Sequence, residues 1–234
     1  MSDRLLARLG LIKFDETELP AVFRRVSDFA HEGLPSADYV SVTVMTGRRP
    51  YTAAYTDETA LRLDELQYQG QLGPCLQAAA ERSTVLVPDT AEDTRWNRWP
   101  LHAARAGAGS VLSVPMPILG DVSGALNIYG RPSGAFDDDA VQAAQTFAGH
   151  ATVFLANAHL YDRTVRLARQ MRDAMENRAV IEQAKGIVMA ERRCGADDAF
   201  AFLTKISQDS NRKLRDVATA LVARTQSPEE GTAP

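Results

Sequence analysis

From about Ala140 to Arg193 the chain has no proline, and its only glycines there are Gly149 and Gly186. Proline stops or kinks helices, so a run of this length without it permits one continuous helix. Asp137, Asp138 and Asp139 stand just before it, where acids and an Asp cap suit a helix N-terminus. Its apolar positions include Phe147, Phe154, Leu155, Leu160, Leu167, Met171, Ala174 and Ile181. Leu160, Leu167, Ala174 and Ile181 stand seven apart with Met171 between them, a broken heptad suited to a two-stranded seam. A stripe that packs inside the chain has the same short-range spacing, so both readings stay open. The charges Asp162, Arg163, Arg166, Arg169, Arg172, Asp173 and Glu176 read as the solvated face. Such a helix divides the chain, and each side is read separately.

The C-terminal side shows three apolar stripes at the helical period. The first is Val180, Ile181, Ala184, Ile187 and Val188, and it ends near Cys194-Gly195, where Gly closes one helix or caps the next. The second is Ala199, Phe200, Leu203 and Ile206, with Asp197 and Asp198 in its first turn. The third is Leu214, Val217, Ala218, Leu221 and Val222, with Asn211 as its expected N-cap. Three short amphipathic segments make a small bundle. Arg212, Lys213 and Arg215 crowd the start of the third helix, against the helix dipole. Together with Arg178, Lys185, Arg192 and Arg193 they favour anion binding over a plain solvated surface. Residues 162–225 carry 13 Lys+Arg against 9 Asp+Glu, whereas residues 1–161 carry 13 against 19. The basic excess therefore sits with the bundle.

Residues of about 165–225 resemble the ANTAR family. The likeness rests on R-x-x-I-E-Q-A-K-G-I-V-M (Arg178 to Met189), D-D-A-F-x-x-L (Asp197 to Leu203) and the helix beginning Asn211-Arg-Lys-Leu-Arg-Asp-Val-Ala. It runs through all three helices in order. The resemblance implies a three-helix output module of bacterial signalling proteins that binds RNA hairpins in nascent transcripts, prevents a terminator from forming, and acts as a dimer.

On the N-terminal side, residues 15–33 read as a helix through Leu19, Val22, Phe23, Val26, Phe29 and Ala30. Tyr39 to Met45 alternates Val with Ser and Thr, the pattern of a half-buried strand, and pairs with Tyr51 to Thr56 across a Gly47-Arg48-Arg49-Pro50 turn. Residues 57–82 are mixed, with a helical run from Pro74 to Arg82. Val85–Val87 is a short strand, a helix follows Trp99-Pro100 and ends at Gly107, and strands Ser110–Met116 and Val122–Tyr129 flank a Gly120-Asp121 turn. Hairpins interleaved with helices make an α+β domain on an antiparallel sheet of about five strands. No glycine-rich phosphate loop follows a strand, so a Rossmann or P-loop unit is not expected.

Residues 15–160 resemble the GAF family of small-molecule sensor and dimerisation domains. The likeness is carried by Gly73-Pro74-Cys75-Leu76-Gln77-Ala78, Val87-Pro88-Asp89, Arg98-Trp99-Pro100, Ser110-Val111-Leu112-Ser113-Val114-Pro115, Gly124-Ala125-Leu126-Asn127-Ile128 and Ala135-Phe136-Asp137-Asp138-Asp139. The order of the two likenesses is similar to that of actinobacterial GAF–ANTAR signalling proteins. The fold expected is an antiparallel-sheet GAF domain joined by a long helix to a three-helix ANTAR bundle. The division expected is 15–160, 161–225 and a disordered tail over 226–234. The cyclic-nucleotide pattern of the GAF family is present only as Asn127 and Phe136-Asp137, and Cys75 has no adjacent His for a bilin. The ligand, if there is one, is therefore unnamed.

Particular residues have competing readings. For RNA the candidates are Arg178, Lys185, Arg192, Arg212, Lys213 and Arg215. For Gly186 a packing reason is preferred, since Gly in mid-helix costs roughly 1 kcal/mol. Phe200 and Phe202 suit base stacking, with core packing the stronger reading for Phe200. Cys75, Gln77, Trp96 and Trp99 are the candidates for a ligand pocket. Cys75 at a helix start is either a reactive thiolate or a small buried apolar residue, and the second is preferred. No metal spacing, nucleophile–base pair or catalytic residue is found, so no metal and no enzyme are expected. The two cysteines, Cys75 and Cys194, read as reduced; the start shows no signal peptide and no run is long enough to span a membrane, so a cytoplasmic protein is expected. The function expected is a signal-responsive RNA-binding antitermination regulator, a homodimer through its linker helix and sensor domain. The alternative is a regulator whose bundle binds a protein.

Overall fold

A computed structural model of the chain describes residues 8–14, 17–34, 36–47, 49–120 and 122–226. Two compact units divide at Arg163/Thr164. The first holds α1 (Leu19–Gly33), β1 (Tyr39–Thr46), β2 (Arg49–Tyr55), α2 (Glu58–Gly70), α3 (Pro74–Glu81), β3 (Val85–Val87), α4 (Trp99–Arg105), β4 (Ser110–Leu119) and β5 (Val122–Gly130). Helix α5 (Asp138–Arg192) begins in it and continues into the second unit, where α6 (Ala196–Asp209) and α7 (Leu214–Gln226) follow. The tail expected over 226–234 lies outside the described residues after Gln226.

The five strands form one antiparallel sheet in the order β2-β1-β5-β4-β3. Strand alternation sends Val40, Val42 and Val44 of β1, Leu112, Val114 and Met116 of β4, and Leu126 and Ile128 of β5 to one face. There they pack with Val22, Phe23, Val26 and Ala30 of α1 and with Ala144, Phe147, Ala151 and Leu155 of α5. Asp137 caps α5 by accepting the Ala140 N–H at 2.8 Å. The other face is not solvated. Ser41 and Thr43 are fully buried, so β1 is buried on both sides rather than half-buried. Helix α2, absent from the sequence reading, covers that face together with α3 and α4; its buried positions Ala60, Leu63, Asp64 and Gln67 follow the helical spacing.

In the second unit Ala184 and Val188 of α5, Ala199 and Leu203 of α6, and Val217 and Ala218 of α7 make a small core. The first inter-helix turn takes one of the two forms expected, and the second differs. Arg193 takes the left-handed conformation after α5, and Gly195 caps α6. Asn211, also left-handed, closes α6: its N–H donates to the Gln208 carbonyl and the Arg212 N–H to the Ser207 carbonyl, a Schellman pattern. Asn tolerates that conformation. It therefore terminates α6 from just beyond its C-cap Ser210 and is not the N-cap of α7, which begins at Leu214.

Candidate nucleic-acid interface and sensor site

The six cations singled out for RNA all lie in the second unit, but they are not equivalent. Arg178 and Lys213 are exposed and form no ion pair among the described residues. Lys185 has a side chain only 18% exposed, with Nζ 3.0 Å from Glu182 one turn back. Arg215 pairs with Asp216 at 3.2 Å, and Arg212 reaches the Asp216 carbonyl at 3.5 Å. Arg212 and Lys213 precede α7, and only Arg215 lies in its first turn. Arg192 lays its guanidinium on the Phe202 ring, Cζ 3.5 Å from the centroid, keeping its charge while burying one flat face.

Two readings need correction. Ala199 and Leu203 lie in the core and Phe202 packs against it, whereas Phe200 is 44% exposed and Ile206 36%. Of the two aromatics, Phe200 is the one free to meet a partner. Gly186 has no packing role either, since a Cβ there would meet nothing within 4 Å. Gly186→Ala is expected to raise the stability of this unit by roughly 1 kcal/mol. Thermal or urea denaturation checks it.

In the first unit the ligand-pocket candidates separate. Gln77, Trp96 and Trp99 meet: the Trp96 indole donates to Gln77 Oε1 at 3.1 Å, and the two Trp rings stand edge to face 6.2 Å apart. Trp99 is buried and donates to the Leu63 carbonyl at 2.9 Å. Trp99→Phe, which drops this bond, is expected to cost about 1 kcal/mol in a denaturant titration. Cys75 instead joins a buried polar cluster. Burial, and then the charge of Asp64, push its thiol well above the usual range, so it is not a reactive thiolate. A cleft of about 290 Å³ lies at the opposite face of the sheet, floored by Leu112, Ile128 and Phe136.

That polar cluster is the feature the sequence reading missed. Asp64 is fully buried in α2. Its Oδ1 accepts from Tyr129 Oη at 2.7 Å and from Asn127 Nδ2 at 3.1 Å, and its Oδ2 accepts from Thr52 Oγ1 at 2.9 Å. Ser113 Oγ donates to Asn127 Oδ1 at 3.0 Å, which fixes the amide so that its N–H groups point to Asp64, Thr43 and Ser41. The Tyr68 hydroxyl bridges Thr43 and Thr52, 2.9 Å from each. Burial nevertheless raises the Asp64 carboxyl to about 6, with the hydrogen bonds of Tyr129, Ser41, Thr52 and Asn127 opposing it. Gln67 Oε1 accepts the Cys75 N–H at 2.9 Å, while its buried Nε2 has no partner among the described residues. A Cβ at position 73 would overlap the Gln67 side chain, and Gly73 has a φ of +154°. Position 73 therefore requires glycine. The signal was available as Ser, Thr and Asn alternating with Val and Leu on neighbouring strands.

The family models of known domains match in two blocks, a GAF domain over residues 16–156 and an ANTAR domain over residues 169–222. The chain is a GAF–ANTAR protein. The GAF match covers the sheet and its helices, and the ANTAR match covers the three-helix core and all six candidate cations. Solved structures agree on the fold of the first part. The GAF domain of a phosphoenolpyruvate-protein phosphotransferase from Coxiella burnetii is 17% identical over 68% of this chain and 95% of its own, with a TM-score of 0.51. A phycoerythrobilin-bound GAF domain from a cyanobacterial phytochrome is 16% identical over 68% of this chain and 97% of its own, with a TM-score of 0.53. A free methionine-R-sulfoxide reductase from Neisseria meningitidis, in complex with its substrate, is 17% identical over 69% and 95%, with a TM-score of 0.51. At these identities they show the fold alone. No curated protein sequence matches the chain. A GAF domain ahead of an ANTAR domain is the architecture of a sensor-regulated regulator. Among the described residues no group of three or more His, Cys, Asp and Glu is placed to hold a metal, and no helix is long and apolar enough to cross a membrane.

Proposed function

We propose that this GAF–ANTAR protein is a signal-responsive antitermination regulator of the cytoplasm that binds hairpins in nascent RNA. The observation that carries it is the coincidence of the ANTAR match with the unit that holds the basic excess, including the exposed cations Arg178 and Lys213. Phosphate contacts from these and from Lys185, Arg192, Arg212 and Arg215 supply affinity, and unstacked loop bases supply specificity. Phe200 is a base-stacking surface on the same unit. Gly186, open to solvent beside Lys185, lets an RNA backbone approach α5 closely. A protein that works this way is a homodimer, and its GAF domain senses a small molecule without catalysing a reaction. The domain division that serves it is 15–160 and 161–225.

The test is an anisotropy titration of the whole protein against short RNA hairpins and a matched DNA duplex at two salt concentrations. Saturable, salt-sensitive binding to hairpins over duplex supports the proposal; equal binding to both overturns it. Exposed Phe200 and Ile206 favour a second reading, a bundle that binds a protein partner. An interaction insensitive to salt distinguishes that reading.

A further inference from the structure

The cleft of about 290 Å³ at the start of α5 is left open by small residues. Ala140, Ala143 and Ala144 of α5 line it, at spacings of three and four that keep them on one helix face. Helix α1 contributes only its last residue, Gly33, followed by Leu34 and Ser36. Seven residues after Ala140 the same stripe carries Phe147, which is fully buried and no longer lines the cleft. Elsewhere large side chains such as Phe29 and Phe147 fill the layer between helices and sheet. At the start of α5, alanine and glycine do not. The floor of Leu112, Ile128 and Phe136 is apolar throughout. The volume stands at the small end of ligand pockets, which run from ~300 Å³ upward and pair apolar walls with a few polar groups.

The polar groups here have one sign. Asp137 and Asp139 are the exposed lining residues, so they form the mouth, and no Lys, Arg or His lines the cleft. Neither carboxylate is in an ion pair among the described residues. Asp137 spends one oxygen, Oδ1, on the Ala140 N–H, which leaves the other for a donor. The N-terminus of α5 adds about half a positive charge, and the carboxylates of Asp137, Asp138 and Asp139 outweigh it. An organic anion would meet only like charge at this mouth. A neutral apolar molecule would use the floor and leave the carboxylates idle. An amine with an apolar body satisfies both parts, its body on Leu112, Ile128 and Phe136 and its ammonium at Asp137 and Asp139.

We propose that this cleft binds a small apolar amine, on the face of the sheet opposite Gln77, Trp96 and Trp99. This rests on the reading that the GAF domain senses a small molecule, and it gives that molecule a chemical class and a place. The ligand lies against the first turns of α5, where the polypeptide leaves the sheet for the helix that continues into the second unit.

The test is isothermal titration calorimetry of the full chain with three probes of one length, octylamine, octanol and octanoate, at about pH 7, where the amine is a cation and the acid an anion. Octylamine is expected to bind saturably, octanol about ten-fold more weakly, and octanoate not at all. Asp137→Asn/Asp139→Asn keeps the helix cap, since Asn caps as well as Asp. It is expected to bring octylamine down to the affinity of octanol and to leave octanol unchanged. Ala143→Phe fills the cleft and is expected to weaken both about ten-fold or more, with circular dichroism checking the fold of each variant. No binding of octylamine, octanoate binding as tight as octylamine, or unchanged octylamine affinity in the double Asn variant overturns the proposal. If Ala143→Phe changes the oligomeric state of the ligand-free protein in sedimentation, a second copy fills the cleft and the amine site fails. If octylamine binding survives Ala143→Phe and is lost in Gln77→Ala, the ligand sits on the opposite face; the cleft then fails while the sensing reading stands.

Discussion

Reversing Arg178 and Lys213 together, as Arg178→Glu/Lys213→Glu, lowers hairpin affinity by about 100-fold at ~0.1 M salt and leaves the fold intact. Two attractive phosphate contacts become two repulsive ones. The salt slope falls by roughly 1.4, because each single-strand phosphate that is no longer neutralised accounts for ~0.7. These two positions give the cleanest measurement because both side chains are exposed and neither forms an ion pair among the described residues. Lys185→Glu is a less direct probe. Lys185 is tied to Glu182, so its reversal also breaks an ion pair within α5, which reversal of Arg178 or Lys213 does not. Circular dichroism and denaturation of the double variant should match the parent. Unchanged affinity with an intact fold would remove Arg178 and Lys213 from any role in RNA binding.

The architecture was legible where periodicity and punctuation agree. The proline-free run gave α5, and Val-alternation gave β1. The three stripes gave the bundle. Helix α2 was not legible, for a definite reason. Its buried stripe is Ala60, Leu63, Asp64 and Gln67, and half of it is polar, so a search for apolar period 3.6 passes over it. The same blindness made β1 look half-solvated, since Ser41 and Thr43 read as a water-facing row until Asn127, Asp64 and Tyr68 are seen opposite them. In the second unit the apolar identity of Phe200 suggested the core, but its phase on α6 places it outside. The cations were visible as residue types. Their pairing was not, because the Lys185–Glu182 and Arg215–Asp216 contacts are side-chain choices that spacing only permits.

The buried carboxyl of Asp64 leads to the second large effect. Its value in the folded protein is about 6, against about 4 in an unfolded chain, so the folded state holds the proton more tightly. A raised group of this kind contributes its full stability below pH ~4 and loses it as pH rises to ~6. The span of about two units corresponds to roughly 3 kcal/mol, flat above that window. Tyr68, Tyr129 and Cys75, the titratable groups around it, are all pushed upward by burial first and stay neutral throughout. Two other carboxyls run the opposite way: Asp57, lowered by its hydrogen bonds from Thr59, and Asp93, raised by burial but lowered further by Arg95, lose stability as pH falls. Subtracting a variant isolates Asp64. In Asp64→Asn the amide cannot titrate, so its stability relative to the parent should rise by roughly 3 kcal/mol between pH 4 and pH 7 in urea titrations. Parallel pH profiles for the two proteins would mean that the hydrogen-bond donors around it hold the carboxylate ionised in the fold as readily as water does. The cluster would then be an ordinary set of satisfied hydrogen bonds rather than a pH-linked element beneath α2.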